Sequence, residues 1–117
     1  MHPSPSWSSR LELRDGTRIV LLSGDIDLTG ADQVRRLLIG ELDQPGSAHV
    51  IADLSGVPFL DSAGLGALIS AYNHAEELGQ RFSVREPQHT TRRIMEIAGV
   101  LELLSQDGPH PERTPDV

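Results

Sequence analysis

The chain has 117 residues, of which 38% are apolar, and this is enough to build the core of one ordinary domain. Its formal net charge of -7 argues against nucleic acid or an anionic membrane as a partner, because binding phosphate groups requires clustered Lys and Arg. The absence of cysteine excludes disulfides and thiolate metal sites, and no run of residues is long and apolar enough to span a bilayer. We therefore expect a soluble cytoplasmic protein without redox chemistry.

The two ends of the chain differ in composition from the middle. Both are rich in Pro, Ser, Gly and charge, so residues 1–9 and 106–117 are predicted to be flexible. No internal repeat or low-complexity insert interrupts the remainder. A single domain is therefore predicted over residues 10–105.

The first predicted element of this domain is a β-hairpin. Leu11 and Leu13 alternate with charged residues, and they are followed by Asp15-Gly16 and by the run 18–22, in which Arg18 precedes four apolar residues. An Asp-Gly pair between two such segments is typical of the tight turn that joins antiparallel strands.

A first amphipathic helix is predicted after the hairpin. Thr29 and Asp32 have the spacing of an N-terminal capping arrangement, apolar residues then recur at helical spacing, and Pro45-Gly46 is the predicted stop. Residues 49–54 form a short apolar run with β-branched members. The length of this run favours a central strand buried on both faces over a helix.

The second half of the chain predicts two more helices and further strands. The patterns indicate a well-defined helix over residues 62–79, a strand over 82–85 and a third helix from about Thr90, weakened at Gly99. Residues 103–104 are predicted to add a brief edge strand. Because helices separate the later strands, parallel connections are favoured. The predicted fold is a single α/β domain whose mixed sheet of about four to five strands packs with amphipathic helices.

The junction between the central strand and the second helix is the candidate functional segment, since sites in α/β sheets collect where strands end and helices begin. Ser62 is predicted to be the N-cap of the second helix, with its hydroxyl accepting from the amide of Gly64 or Leu65. A serine at such a position is most often structural. Gly64 and Gly66, however, leave the first helical turn without bulky side chains, which indicates that something needs access.

A second acidic element, Gly24-Asp25-Ile26-Asp27, follows the second strand. Two carboxylates at this spacing could bind a divalent ion or position a hydroxyl, or they could cap the next helix and solubilise a turn. The sequence assigns too few oxygen ligands for a dedicated metal site, so neither a metal nor a cofactor is expected.

Three motifs together resemble the bacterial anti-sigma factor antagonists of the STAS (sulfate transporter and anti-sigma factor antagonist) domain family. They are Gly24-Asp25-Ile26-Asp27, the strand end Asp53-Leu54-Ser55, and Leu60-Asp61-Ser62-Ala63-Gly64-Leu65-Gly66. These motifs occur in the order and spacing of the family, and the resemblance spans most of residues 11–105. It implies a mixed sheet with amphipathic helices and a regulatory role without enzymatic activity.

The resemblance further implies that Ser62 is the phosphoacceptor of a partner-switching regulator. In that mechanism the unmodified protein binds an anti-sigma factor that is also a serine kinase, and a sigma factor is freed. Phosphorylation ends the complex until a serine phosphatase restores it. Many members carry a second serine directly after the phosphoacceptor, whereas this chain has Ala63. The implied partner-binding residues are Asp25, Asp27, Asp61, Ser62, Ala63, Gly64, Leu65 and Gly66.

Other functions fit the sequence less well. An enzyme would need Ser62 as nucleophile with His49, His74 or His89 as base, yet these histidines lie on different predicted elements and no Gly-x-Ser-x-Gly elbow is present. Tight nucleotide binding is disfavoured because the chain lacks a P-loop and has no Lys. The alternative that stays open is a STAS-type scaffold or sensor module in a stress-signalling complex. The sequence also leaves the oligomeric state open.

Overall fold

A computed structural model describes residues 6–105 of the chain. The elements in chain order are β1 (Trp7–Arg14), β2 (Thr17–Gly24), α1 (Leu28–Leu42), β3 (His49–Gly56), α2 (Ser62–Leu78), β4 (Arg81–Arg85), α3 (His89–Ile97) and α4 (Leu101–Leu104). The strands form one sheet in the order β1-β2-β3-β4. β1 runs antiparallel to β2, whereas β2, β3 and β4 are parallel to one another. The predicted α/β fold with a mixed sheet is confirmed.

Strands β1 and β2 form the predicted hairpin. Asp15 and Gly16 occupy its two-residue loop with φ angles of 50° and 84°, which is the left-handed backbone of a primed turn. Aspartate and glycine adopt this backbone more readily than most residues, and the turn matches the twist of the flanking strands. Every residue of β1 is paired with β2, beginning with Arg14 opposite Thr17.

The N-terminal boundary of the domain differs from the prediction. β1 begins at Trp7, so the last three residues of the segment 1–9, which was expected to be flexible, belong to the sheet and pair with the end of β2. Backbone hydrogen bonds hold this stretch, and such bonds do not require the apolar side chains that composition detects. Residues 1–5 and the predicted tail 106–117 lie outside the described residues.

The main core lies between one face of the sheet and the helices. α1 and α2 contact each other, α1 contacts β3, and α2 contacts β4. Five consecutive residues of β3, from Val50 to Leu54, are buried, which confirms the predicted central strand. The sheet residues in this core are Val20, Leu22, Val50, Ala52, Leu54, Phe82 and Val84.

The start of α1 differs from the prediction in its capping residue. Asp27 is the N-cap, and its Oδ1 accepts a hydrogen bond from the Thr29 amide at 3.0 Å. Thr29 and Asp32, which the sequence pattern pointed to, both lie inside the helix. Asp32 instead pairs with Arg35 and Arg36 one turn further along the helix surface. The pattern located the helix, but Asp27 lies two residues before the predicted cap.

The C-terminal part of the domain is helical. α2 ends as predicted at Gly79, whose φ of 68° suits the left-handed C-cap, and Gly99 with φ 76° separates α3 from α4. Leu103-Leu104, predicted as an edge strand, lies at the end of α4 instead. The strand-like contact falls one residue later, where Ser105 forms a single parallel bridge with Val84. Within residues 6–105, no helix is long and apolar enough to cross a membrane.

Candidate functional site

Two strand-to-helix junctions meet at the carboxyl edge of the sheet. β2 leads into α1 and the neighbouring parallel strand β3 leads into α2, so both loops leave the same edge. The Ile26 amide donates to the Phe59 carbonyl at 3.0 Å, and the Asp61 amide donates to the Ile26 carbonyl at 3.2 Å. Ile26 and Leu60 are both buried and form a parallel bridge. The backbone therefore ties the predicted Asp25 and Asp27 loop to the predicted Ser62 loop.

Asp61 joins the two helix starts. Its Oδ1 accepts from the Gly64 amide at 2.9 Å, and this makes Asp61 the N-cap of α2. Its Oδ2 accepts from the Leu28 amide, the first residue of α1, at 3.1 Å. A single carboxylate thus satisfies an unpaired amide of each helix.

This arrangement corrects the predicted role of Ser62. Ser62 is the first residue of α2 rather than its cap, and the amides of Gly64 and Leu65 bond to the side chain and the carbonyl of Asp61 respectively. The hydroxyl of Ser62 is therefore not consumed by capping. Ser62 is exposed, and its side chain makes no hydrogen bond to the other residues of the described range 6–105.

The electrostatic surroundings of Ser62 combine opposing contributions. The residue lies at the N-terminal end of α2, where the unpaired amides carry partial positive charge. Asp61 precedes it directly, and Asp25 and Asp27 lie in the adjoining loop. Asp25 is exposed, whereas Asp27 is half-buried and caps α1. A phosphate on Ser62 would therefore gain from the helix end and be opposed by three carboxylates.

The two glycines near the start of α2 differ in their surroundings. A Cβ on Gly64 would lie 2.7 Å from the Ile26 carbonyl oxygen and 2.9 Å from Leu60 Cγ, so glycine is needed for the two loops to pack. Gly64 and Leu65 are buried, and we therefore assign them to packing rather than to direct contact with a partner. Gly66 is exposed with open space around it, and it lies one turn below Ser62 on the same helix face. Of the two glycines, Gly66 alone leaves the open space that the sequence predicted.

Two exposed apolar residues that the sequence analysis did not single out belong to the two joined junctions. Leu28 is 79% exposed and Phe59 is 46% exposed, although the Leu28 amide donates to the Asp61 carboxylate and the Phe59 carbonyl accepts from the Ile26 amide. Ala63 is half-buried and packs against the core. The sequence could have indicated the exposure of Leu28, because this apolar residue follows a helix cap directly and does not belong to the helical repeat of buried positions. We call Asp25, Leu28, Phe59, Ser62 and Gly66 the Ser62 surface.

Asp53 anchors the end of β3 below this surface. Its Oδ1 accepts from the amide and the hydroxyl of Ser55 at 2.9 and 2.6 Å, and its Oδ2 accepts from Arg85 Nε at 2.6 Å. Burial alone would raise the pKa of Asp53, but the hydrogen bonds from Ser55 and Arg85 outweigh it and hold the pKa below its usual value. The carboxylate is therefore charged, and it braces β3 against β4 where the loop to α2 begins.

The three histidines considered as catalytic bases are not grouped at Ser62. His49 begins β3, at the opposite edge of the sheet, and its Nε2 lies 2.7 Å from Ser83 Oγ. His74 is far along α2 and pairs with Asp43 at 2.8 Å, while His89 is exposed at the start of α3. Among residues 6–105, no group of three or more His, Cys, Asp or Glu could hold a metal ion. These positions offer Ser62 no base and no orienting triad.

Comparison with known proteins agrees with this architecture. The sequence matches the family model described as the STAS domain over residues 8–114. It is 26% identical over 94 residues to the anti-sigma F factor antagonist of Paenibacillus polymyxa, covering 80% of each chain. A crystal structure of an anti-sigma factor antagonist from Mycobacterium paratuberculosis is 29% identical, with a TM-score of 0.69 over 92% of this chain and 89% of that one.

A further structural likeness is to the anti-sigma factor antagonist SpoIIAA. Its unphosphorylated form is 23% identical, with a TM-score of 0.72 over 90% of this chain and 91% of that one. The phosphorylated form of SpoIIAA from Bacillus is also 23% identical and gives a TM-score of 0.67 over 90% of this chain and 95% of that one. At this identity the likeness establishes the fold, which agrees with the sheet and helix order described above.

Proposed function

Because this chain belongs to the STAS domain family, we propose that it is an anti-sigma factor antagonist that reversible phosphorylation of Ser62 switches off. The observation that carries the proposal is the exposed Ser62 hydroxyl, which is free of hydrogen bonds within residues 6–105 because Asp61 caps the helix in its place. The similar proteins from Paenibacillus polymyxa and Mycobacterium paratuberculosis are anti-sigma factor antagonists, and SpoIIAA is known in phosphorylated and unphosphorylated forms. The proposed location is the bacterial cytoplasm.

In the unphosphorylated state, the Ser62 surface binds the anti-sigma factor. Leu28 and Phe59 are exposed apolar side chains on hydrogen-bonded backbone, so they can enter a partner's pockets with little loss of backbone freedom. Asp25 supplies a negative charge at the rim that favours a basic partner surface. Occupying the anti-sigma factor in this way frees the sigma factor.

The same partner is proposed to act as a serine kinase on Ser62. A kinase must reach an exposed hydroxyl, and Gly66 leaves open space one helical turn below it. Ala63 offers no competing hydroxyl at the next position. The phosphorylation site is thus a single residue at the centre of the binding surface.

Phosphorylation ends the complex by adding about two negative charges to a surface that must be desolvated on binding. Leu28 and Phe59 flank the phosphate with apolar surface, while Asp25 and Asp61 add to its negative charge. Each loss of roughly 1.4 kcal/mol in binding free energy lowers the affinity tenfold, so a loss of a few kcal/mol is enough for a switch. Because the free domain can expose the phosphate to water, the fold is retained and a serine phosphatase can reverse the modification.

The proposal is tested with the anti-sigma factor kinases encoded in the source genome. Each is incubated with ATP and either the wild type or Ser62→Ala, and the added phosphate is located by mass spectrometry. We expect phosphate on Ser62 alone and none on the variant. Phosphate at another residue would contradict the assigned site, and stable binding without any phosphate transfer would favour the scaffold function instead.

Binding is then measured by calorimetry without ATP. Ser62→Ala should bind like the wild type, whereas Ser62→Asp should bind at least about tenfold more weakly, because it places a fixed charge at the centre of the surface. Asn73→Asp adds the same charge at an exposed position in the middle of α2 and serves as the control. Equal weakening by Ser62→Asp and Asn73→Asp would rule out a site-specific switch.

A further inference from the structure

The outer edge of the sheet at β1 carries unused hydrogen-bonding groups. β1 is the first strand in the sheet order, and no strand among residues 6–105 pairs with its outer side. In a two-residue hairpin the pair next to the turn, Arg14 and Thr17, exchanges backbone hydrogen bonds, and every second pair does so thereafter. The bond from the Asp25 amide to the Ser6 carbonyl at 3.1 Å fits this alternation. The amides and carbonyls of the intervening residues of β1 therefore point away from the sheet.

The side chains along this edge separate into an apolar and a charged face. Leu11 and Leu13 are 41% and 62% exposed and lie on the face that carries the main core. Arg10, Glu12 and Arg14 alternate with them and lie on the opposite face. Glu12 is 3.9 Å from each of the two arginines, which is a loose surface contact that leaves its charge available.

We propose that β1 docks against β1 of a second copy of this chain, antiparallel and with the two-fold axis at Leu11. This register places Leu11 opposite Leu11 of the second copy, where the outward main-chain groups form a hydrogen-bonded pair. Leu13 then faces Ser9 of the second copy, and Arg10 faces Glu12 in two symmetric pairs. The charged pairs occupy the more closely spaced, non-hydrogen-bonded positions of the ladder, where opposite charges are favourable.

Charge complementarity selects this register over its neighbours. An axis at Glu12 would set Glu12 against Glu12 and Arg10 against Arg14, so each charged position would meet a like charge. An axis at Arg10 would oppose the two Arg10 side chains. An axis at Leu13 keeps opposite charges together but runs the strand into the hairpin loop at Asp15, and this shortens the ladder. The Leu11 register pairs residues 8–14, which are seven of the eight residues of β1.

The resulting dimer leaves both Ser62 surfaces free. A two-fold axis perpendicular to the sheet reverses the direction of the strands in the second copy, so the two carboxyl edges face opposite ways. Each copy can then bind its own anti-sigma factor. Dimerisation at β1 is therefore independent of the phosphorylation proposed for Ser62, and either can fail without the other.

A charge-reversal series tests the proposal by sedimentation equilibrium of the full chain over a wide concentration range. Glu12→Arg should raise the dimer dissociation constant at least about tenfold, because the introduced guanidinium would face Arg10 of the second copy. The double variant Arg10→Glu with Glu12→Arg should return it to near the wild-type value. Glu96→Arg makes the same charge change on α3 and should have no effect. A monomeric wild type, or no recovery in the double variant, would overturn the proposal.

Single cysteines test the register, since the chain contains none of its own. Leu11→Cys should be cross-linked to a covalent dimer by a short bis-maleimide, because the two substituted positions are directly opposite. Leu13→Cys should not, since its two copies lie four residues apart along the ladder, or roughly 13 Å. Cross-linking of Leu13→Cys in preference to Leu11→Cys would overturn the Leu11 register. Ser62→Asp combined with Leu11→Cys should cross-link as well as Leu11→Cys alone.

Discussion

The two strand-to-helix junctions at the carboxyl edge are built alike up to the first residue of each helix. An extended aspartate caps both helices, Asp27 with φ -119° and ψ -170° and Asp61 with φ -93° and ψ -172°. The first helical residue is exposed in each case, but it is Leu28 at one junction and Ser62 at the other. The same local backbone thus presents an apolar anchor on one side and a modifiable hydroxyl on the other.

The junctions differ in how much they depend on each other. Asp27 caps its own helix only, whereas Asp61 caps α2 and also accepts from the Leu28 amide of α1. Gly64 adds a close approach of α2 to Ile26 in the first loop. The β3–α2 junction therefore holds the β2–α1 junction in place, and a change in the former should disturb both.

The largest effect on stability is expected at the glycines of α2. Gly64→Ala should cost about 1–3 kcal/mol because its Cβ would collide with the Ile26 carbonyl and with Leu60. Gly66→Ala is the matched control and should stabilise the domain by about 0.5–1 kcal/mol, since alanine favours the helix and the site is open. Urea unfolding of both variants measures the difference. Equal effects would mean that the junctions do not pack as closely as described.

The two capping aspartates should differ by a smaller amount in the stability that is lost when each is replaced by alanine. Asp61→Ala removes acceptors from two amides and should cost about 2 kcal/mol, whereas Asp27→Ala removes one and should cost about 1 kcal/mol. Hydrogen exchange gives an independent readout, because Asp61→Ala should speed exchange at the Leu28 amide although that amide belongs to the other helix. Unchanged protection at Leu28 would contradict the coupling of the two junctions.

Low pH should remove the contribution of Asp53, near the end of β3, to the stability of the domain. Because the folded-state pKa of Asp53 is lowered, its contribution is complete above the unfolded pKa of roughly 4 and is lost as the pH falls through the lower folded value. Wild type should therefore exceed Asp53→Asn in stability by a constant amount from neutral pH to about 5, and the gap should close below about 4. Thermal melts over this pH series make the comparison. A gap that is as wide at pH 3 as at pH 7 would contradict the assignment.

The smallest effect on stability, together with a clear effect on binding, is expected at Leu28. Leu28→Ala should change the free energy of unfolding by less than about 0.5 kcal/mol because the side chain is largely exposed. It should nevertheless weaken anti-sigma factor binding about tenfold if it is an interface anchor. Leu78→Ala is the control. Leu78 is also exposed but lies at the end of α2 that is far from Ser62, so the change should leave binding unchanged. Loss of binding in both variants would point to a general effect of surface apolarity.

The elements with strong periodicity could be predicted from the sequence. The Asp15-Gly16 hairpin turn, the buried run of β3 and the end of α2 at Gly79 all follow from local chemistry, and the structure agrees with each of them. The prediction failed where long-range pairing decides the outcome. β1 extends to Trp7 because β2 supplies hydrogen-bond partners, and Leu103-Leu104 is helical although its composition suits a strand.

At the candidate site, the amino-acid order shows which residues are neighbours along the chain, and the family resemblance pointed to Ser62 among them. Their individual roles depend on the three-dimensional fold. A helix cap depends on backbone angles, so Asp61 rather than Ser62 takes it, and the choice leaves the hydroxyl free. The burial of Gly64 and the exposure of Leu28 depend on how the two loops meet in space. The two loops are far apart along the chain, since Leu28 and the Asp61 carboxylate to which it bonds are separated by 33 positions. Local sequence patterns therefore cannot predict this contact.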